Sequence, residues 1–244
     1  MKIYKSIDEY NESKSSVVTI GTFDGIHKGH QKIFKKVIDA SKQSILSSVV
    51  LTFFPNPRII LNKYNDIKMI DTLDEKINHL EKIGIDHLII HPFDKKFSLL
   101  SADQFIKEYL VEKLKLKHII IGYDHRFGKG REASVSDLKE YSSEFNFIVD
   151  EIDAQEIEKI AISSTKIRNS INQGELETTK KYLGRFFSLT GKVVKGDGLG
   201  KQLDYPTANI LIEEDYKIIP KDGVYYIEIK SSKGIREIKV LVIN

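Results

Sequence analysis

Gly21–His30 reads GTFDGIHKGH, between an apolar run, Val17–Thr22 (VVTIGT), and a stretch, His30–Ala40, with Ile33, Phe34, Val37 and Ile38 at helical spacing. A buried strand that feeds a helix through a Gly-containing turn is the opening unit of an α/β fold. In an open α/β sheet such a turn lies at the carboxyl edge, where ligands bind. Gly25 and Gly29 let the backbone turn tightly and approach a ligand closely. His27 and His30 lie three apart at the helix mouth, whose free N–H groups favour anions. Two imidazoles there can donate hydrogen bonds to phosphate oxygens and to charge growing at phosphorus. One preorganised donor of that kind can be worth about 3–4 kcal/mol of transition-state stabilisation. Two other readings stay open on these residues alone: an H-x-x-H metal pair, and two surface histidines beside a Gly turn. Neither a G-x-x-x-x-G-K-[ST] loop nor a G-x-G-x-x-G after the first strand occurs, so phosphate binding would rest on His and the helix terminus.

The same alternation continues outward. Ser48–Phe54 (SVVLTFF) reads as a second strand ending at a rigid PNP loop, where Phe54 and Asn56 stand. Thr72–Ile83 follows as a helix with a T-x-x-E capping box (Thr72, Glu75) and Gly84 beyond its end. Asp86–His91 is a third strand, and Ser101 and Gln104 open a helix running through Leu114. His118–Tyr123 is a fourth strand, from which the loop Gly122–Arg131 (GYDHRFGKGR) leaves with three Gly, two Arg, a Lys and a His. Strands alternating with helices predict a parallel sheet covered on both faces. ISSTKIR, Ile162–Arg168, opens a short helix stopped by Gly174, and its hydroxyls, Lys166 and Arg168 suit a pyrophosphate clamp as well as a plain capped helix. After Gly184 the pattern changes to strands only: Ser188–Lys195, Thr207–Ile212, Val224–Lys230 and Ile235–Ile243, separated by turns such as KGDGLG and PKDG. The expected boundary lies near Leu183–Phe187, giving an α/β module over 1–183 and an all-β part over 184–244. The last strand ends without a polar tail, and four strands with an open edge close poorly, so the β part reads as incomplete.

Composition sets the outer bounds. The 244 residues allow one large or two smaller domains, and 41% hydrophobic with 30% charged residues is a globular balance. With no Cys there are no disulfides, thiolate zinc sites, Fe–S clusters or cysteine nucleophiles, which fits a cytoplasmic setting. No apolar run approaches the ~20 residues of a membrane helix, and no secretory h-region follows Met1. Residues 1–180 hold 27 basic and 27 acidic side chains, and residues 181–244 hold 11 and 8; this predicts no nucleic-acid partner. All seven His fall between His27 and His125.

In this order, G-x-F-D-G-x-H-x-G-H, F-x-P-x-P, G-x-D-x-x-F-G and S-S-T-x-I-R resemble the adenylyltransferase module of the bacterial bifunctional riboflavin kinase/FAD synthetase family. The segment GKVVKGDGLGKQLDYPTAN resembles the Gly-rich and P-T-A-N part of its flavokinase β-barrel. The resemblance implies a Rossmann-like nucleotidyltransferase fold followed by an incomplete flavokinase barrel. It implies adenylyl transfer from ATP to FMN, giving FAD and pyrophosphate, with Mg²⁺ accompanying ATP. His27 and His30 would then be catalytic. Gly21, Phe23, Asp24, Gly25, Gly29, Asp124, Phe127, Ser164, Thr165 and Arg168 would bind ATP, and Phe54 and Asn56 the flavin. In the kinase module Thr207 and Asn209 match Mg²⁺ and phosphate contacts, and Gly196, Gly198 and Gly200 the Gly-rich loop. Lys201 stands where the family has Arg, and Asp204 where it has Gly. The family's catalytic acid lies downstream of Asn244, so riboflavin phosphorylation is expected of a longer parent rather than of this chain. A different adenylyl- or cytidylyltransferase and a non-catalytic nucleotide- or flavin-binding protein are the competing readings.

Overall fold

The computed structural model describes residues 1–61, 67–152, 162–195, 208–230, 234 and 236–243, which divide into two compact units. The first comprises Met1–Ile67 and Leu73–Ser163; the second, Lys68–Thr72 and Ser164–Asn244.

The first unit is built on six parallel strands: β1 (Lys2–Tyr4), β2 (Ser16–Ile20), β3 (Ser47–Phe54), β4 (His87–Pro92), β5 (Leu116–Gly122) and β6 (Ile148–Ile152), ordered β1-β4-β3-β2-β5-β6. The central strands are apolar on both sides because helices cover both faces. Side chains alternate between two cores, as period-two geometry requires. Val17, Val50, Leu88 and Ile120 face one core, shared with Phe34 and Val37 of α1 (Lys28–Gln43) and Leu80 of α3 (Leu73–Ile83). Val18, Val49, Leu51, Ile89 and Ile119 face the other, shared with Phe105, Ile106 and Leu110 and with Leu138 of α5 (Val135–Phe145). The helix opened by Ser101 begins with the expected capping box as α4 (Ala102–Gln104). It then winds as a π-helix over Phe105–Lys113, closed by Leu114 N–H donating to the Tyr109 carbonyl.

The chain runs outward from β2 through β3 to β4, then returns to lay β5 on the opposite side of β2. The strand order therefore reverses between β2 and β5, and a crevice at such a reversal is the ligand position of open α/β sheets. Two expectations change in detail. The first helix begins at Lys28, not His30, because His27 itself caps it. The PNP segment is not only loop: Asn56 caps a one-turn helix, α2 (Pro57–Ile60), with its Oδ1 accepting from Arg58 N–H at 3.0 Å.

In the second unit, α6 (Ser164–Asn172) and α7 (Leu176–Leu183) bury Ile167, Ile171 and Leu183. Gly174 and Gly184 both take positive φ, the second as the C-cap of α7. Four strands follow among the described residues: β7 (Lys192–Val194) pairs antiparallel with β8 (Asn209–Leu211), and β9 (Gly223–Lys230) with β10 (Arg236–Ile243). Segment 68–72 is held within this unit. Met69 N–H donates to the Tyr216 carbonyl, Ile218 N–H donates to the Met69 carbonyl at 2.8 Å, and Lys217 Nζ to the Ile70 carbonyl at 2.6 Å. Arg185 places one guanidinium nitrogen 2.8 Å from both carboxylate oxygens of buried Asp71.

Four histidines of the first unit are held below the usual imidazole range, chiefly by burial: His30, His87, His91 and His125, the last at about 4. His91 Nδ1 accepts from Ile7 N–H at 3.1 Å, a role that only the unprotonated nitrogen can fill. In the unfolded chain each titrates near ~6.5, so between that value and the folded one the unfolded state binds more protons. Stability from these groups is present above pH ~6.5 and is lost as pH falls towards the folded values. Thermal unfolding followed from pH 7.5 to pH 4 should show a midpoint that begins to drop below about pH 6.5. A midpoint flat down to pH 4.5 would contradict the burial of these rings.

Candidate active site

The site starts at the end of β2. Gly21 N–H continues the ladder by donating to the Leu51 carbonyl at 3.0 Å. A Cβ on Gly21 would lie 2.9 Å from the Phe23 ring, so only glycine lets that ring fold back over the strand end. Phe23, Gly25 and Ile26 all take positive φ. For non-Gly residues this conformation costs about 1–3 kcal/mol and persists only where packing enforces it. The packing is present: Phe23 and Ile26 are buried, and Phe23 meets the Phe34 ring edge-on at 4.8 Å. The strained turn is therefore anchored on the core helix it introduces.

That turn delivers the histidine pair. The His27 and His30 rings stack at 3.6 Å with 19° between their planes, and Phe23 meets the His30 ring edge-on at 5.3 Å. His30 N–H donates to His27 Nδ1 at 3.4 Å, which leaves Nε2 to carry the proton of a neutral His27 ring. Burial holds the His30 imidazole well below its ordinary range, and the charges of His27 and Lys76 push in the same direction. Its Nδ1 is buried with no hydrogen-bond partner among the described residues. Gly29 is needed for the stack, since a Cβ there would sit 3.1 Å from His27 ring atoms. Asp24 is buried within the same turn.

The flanking loops leave neighbouring strand ends. At the end of β3, Phe54 is exposed and Asn56 is buried, its carboxamide oxygen engaged in capping α2. At the end of β5, Asp124 is exposed, whereas Phe127 is buried in the core against Phe105 at 6.0 Å. Phe127 thus fastens its loop, with Phe127 and Ala133 exchanging backbone hydrogen bonds at 3.1 and 3.2 Å. His27, His30, Gly21, Phe23, Asp24, Gly25 and Gly29 are gathered into one turn, and the Phe54/Asn56 and Asp124/Phe127 loops rise from the strands on either side of it.

Ser164, Thr165 and Arg168 belong to the second unit, where Ser164 opens α6, Thr165 is exposed and Arg168 Nε donates to the Lys68 carbonyl at 2.8 Å. Asn209 begins β8 and is exposed. Gly196, Gly198, Gly200 and Thr207 lie outside the described residues. Among the described residues no group of three or more His, Cys, Asp or Glu side chains could hold a metal ion.

One residue of the site escapes the sequence reading. Lys76, on α3, is buried, and its Nζ donates to the Thr22 carbonyl at 2.7 Å. The signal was available: in TLDEKINHLEKI, Lys76 falls on the stripe of Leu73, Ile77, Leu80 and Ile83, and a cation on a buried stripe requires a polar partner.

A parallel sheet with a stacked histidine pair at its reversal point, at the mouth of a helix, defines a Rossmann-like α/β protein. The comparisons make this specific. A family model described as FAD synthetase matches residues 9–166, and one described as riboflavin kinase matches residues 183–243. The chain is 39% identical over 231 residues to the bifunctional riboflavin kinase/FMN adenylyltransferase of Buchnera aphidicola from Schizaphis graminum, covering 94% of this chain and 73% of that protein. It is 37% identical to the protein of the same description from Listeria monocytogenes, covering 91% and 70%, and 31% identical to that of Escherichia coli K12, covering 94% and 73%. The protein therefore belongs to the bifunctional riboflavin kinase/FMN adenylyltransferase family. A solved structure described as a macrolide-efflux protein from Streptococcus pneumoniae superimposes with a TM-score of 0.86 at 30% identity, covering 99% of this chain and 78% of that one. Among the described residues of this chain, no helix is long and apolar enough to cross a membrane.

Proposed function

We propose that the first module transfers the adenylyl group of ATP to FMN. A phosphate oxygen of FMN attacks the α-phosphorus of ATP, the bond from that phosphorus to the β-phosphate bridging oxygen breaks, and FAD and pyrophosphate leave. The FMN phosphate is already anionic at neutral pH, so no general base is required, and catalysis rests on positioning and charge stabilisation. The observation that carries this reading is the stacked His27–His30 pair on a strained turn at the sheet's reversal point, in a chain matched by both flavin-enzyme family models. His27, with Nε2 carrying its proton, offers an N–H to phosphate oxygens, and neutral His30 backs it as a ring stacked on Phe23's edge.

Gly21, Phe23, Asp24, Gly25 and Gly29 shape the phosphate mouth, and Asp124 with the loop that Phe127 anchors receives the nucleoside. Ser164, Thr165 and Arg168 hold the β- and γ-phosphates, and Phe54 and Asn56 lie to the flavin side. Mg²⁺ enters with ATP as the counter-ion of its phosphates. Riboflavin phosphorylation is the reaction of the second module in a longer parent rather than in this chain, with Thr207 and Asn209 as the oxygen ligands suited to Mg²⁺, and Gly196, Gly198 and Gly200 as its Gly-rich loop. The setting is cytoplasmic, where all these substrates occur in a reducing compartment.

Incubation with ATP, Mg²⁺ and either FMN or riboflavin, with FAD, FMN and pyrophosphate measured separately, tests the reading. FAD and pyrophosphate in equal amounts from FMN are expected. Turnover of another phosphate ester with none of FMN would replace it with a different nucleotidyltransferase.

A further inference from the structure

We propose that Lys76 is a positioning residue for adenylyl transfer, its ammonium fixing the Thr22 carbonyl and through it the turn that presents His27 and His30. The inference rests on the adenylyl-transfer reading of this site. Its basis is geometric. Lys76 sits on the buried stripe of α3, 8% exposed, and its Nζ donates to the Thr22 carbonyl at 2.7 Å. The same carbonyl accepts, at 3.4 Å, from the Thr52 hydroxyl at the carboxyl end of β3. Thr22 is the last residue before the positive-φ turn, so its carbonyl direction sets where Phe23 begins to fold back. An anchor from α3 and another from β3 thus meet at the single peptide on which the turn pivots.

A lysine suits this place better than a neutral donor. Burying an ammonium is costly, and it is tolerated where hydrogen bonds and opposite charge compensate it. Burial is what chiefly keeps the His30 imidazole neutral, and the charges of His27 from its own turn and of Lys76 from α3 act in the same direction. A protonated His30 stacked on His27 would repel any proton arriving on the neighbouring ring. Lys76 therefore supplies fixed positive charge behind the turn while the His30 ring stays neutral. A fixed charge already in place beside a reacting phosphate needs no reorganisation when the reaction occurs.

The experiment compares Lys76→Met, which removes donor and charge, with Lys76→Gln, which keeps a donor for the Thr22 carbonyl but no charge. We expect kcat for FAD formation to fall about tenfold or more in Lys76→Met, with KM for ATP and FMN within about threefold of wild type. The His30 ring resonances, followed by NMR in the unliganded protein, should titrate at higher pH in both variants, because the charge that disfavours protonation is gone. The Gln variant should retain more kcat than the Met variant. If the Met variant does not fold, the Gln variant carries the same test through its His30 titration. Wild-type rates within about twofold in the Met variant, or an unchanged His30 titration in either folded variant, would overturn the inference. If the wild type itself makes no FAD from FMN, the reading of the reaction fails instead, and the His30 titration still decides the coupling to Lys76.

Discussion

Replacing His27 by alanine is expected to lower kcat for FAD formation by about 10²-fold while leaving KM for ATP within a few-fold. The ring is buried in the turn, its Nδ1 is occupied by the His30 backbone N–H, and its Nε2 proton is the one it can offer a phosphate. An interaction that strengthens as charge builds at phosphorus lowers kcat when removed, rather than weakening ground-state binding. His27 also caps α1, and losing a cap costs about 1 kcal/mol of stability. His27→Asn separates the two effects, since its carboxamide oxygen can still cap the helix while the imidazole is gone. The Asn variant should keep the wild-type unfolding midpoint and share the catalytic defect of the Ala variant. His30→Ala should lose a comparable factor, because His30 supports the His27 ring from below at 3.6 Å. Wild-type kcat in both Ala variants would remove the pair from the mechanism.

Phe34→Ala carries the largest expected effect on stability, about 3–5 kcal/mol. Phe34 is fully buried on α1, in the core cluster shared with Val17, Val50 and Leu88 of the sheet. Removing its ring leaves a cavity in the middle of one face, lined by strands that cannot collapse without breaking their ladder. The substitution also removes the surface against which Phe23 is folded at positive φ. Urea unfolding should show the lost stability as an earlier midpoint, and kcat should fall even at temperatures where the variant remains folded. A loss below about 1 kcal/mol would mean that the core relaxes around the gap more freely than close packing allows.

The central strands, the helix α1 and the turn after β2 were legible because their apolar periodicity is uninterrupted. Val17–Thr22, Ser48–Phe54, Asp86–His91 and His118–Tyr123 all correspond to strands of the sheet. The edge strands were not. β1 is only three residues long, and β6 (IVDEI) carries Asp150 and Glu151 on an exposed edge, where charge protects against further pairing and hides the period. α5, in VSDLKEYSSEF, buries only Val135 and Leu138, too few for a stripe to stand out. Within the candidate site, residue types and spacing singled out the histidines, but not that their rings stack, or that His30 is held neutral. The neutral state of His30 comes first from its burial and then from charges that include Lys76, which approaches on α3 from outside the motif. Phe127 shows the converse: its place in a loop motif suggested contact with a nucleotide, while its side chain serves the core beneath.

Residues 68–72 reach the second unit from the middle of the sequence of the first, and this bears on how such a protein can be divided or inherited. A gene fragment beginning at Ser164 would encode Arg185 without Asp71, and Tyr216 and Ile218 without the Met69 backbone they bond. Simple end-to-end fusion of two independent reading frames does not produce that arrangement unaided. Recombination that swaps the second half between relatives would then have to transfer two separate stretches of gene, or keep both sides of the 68–72 segment compatible. In that sense the heredity of this protein is braided, with two separate stretches of gene tied to one compact unit.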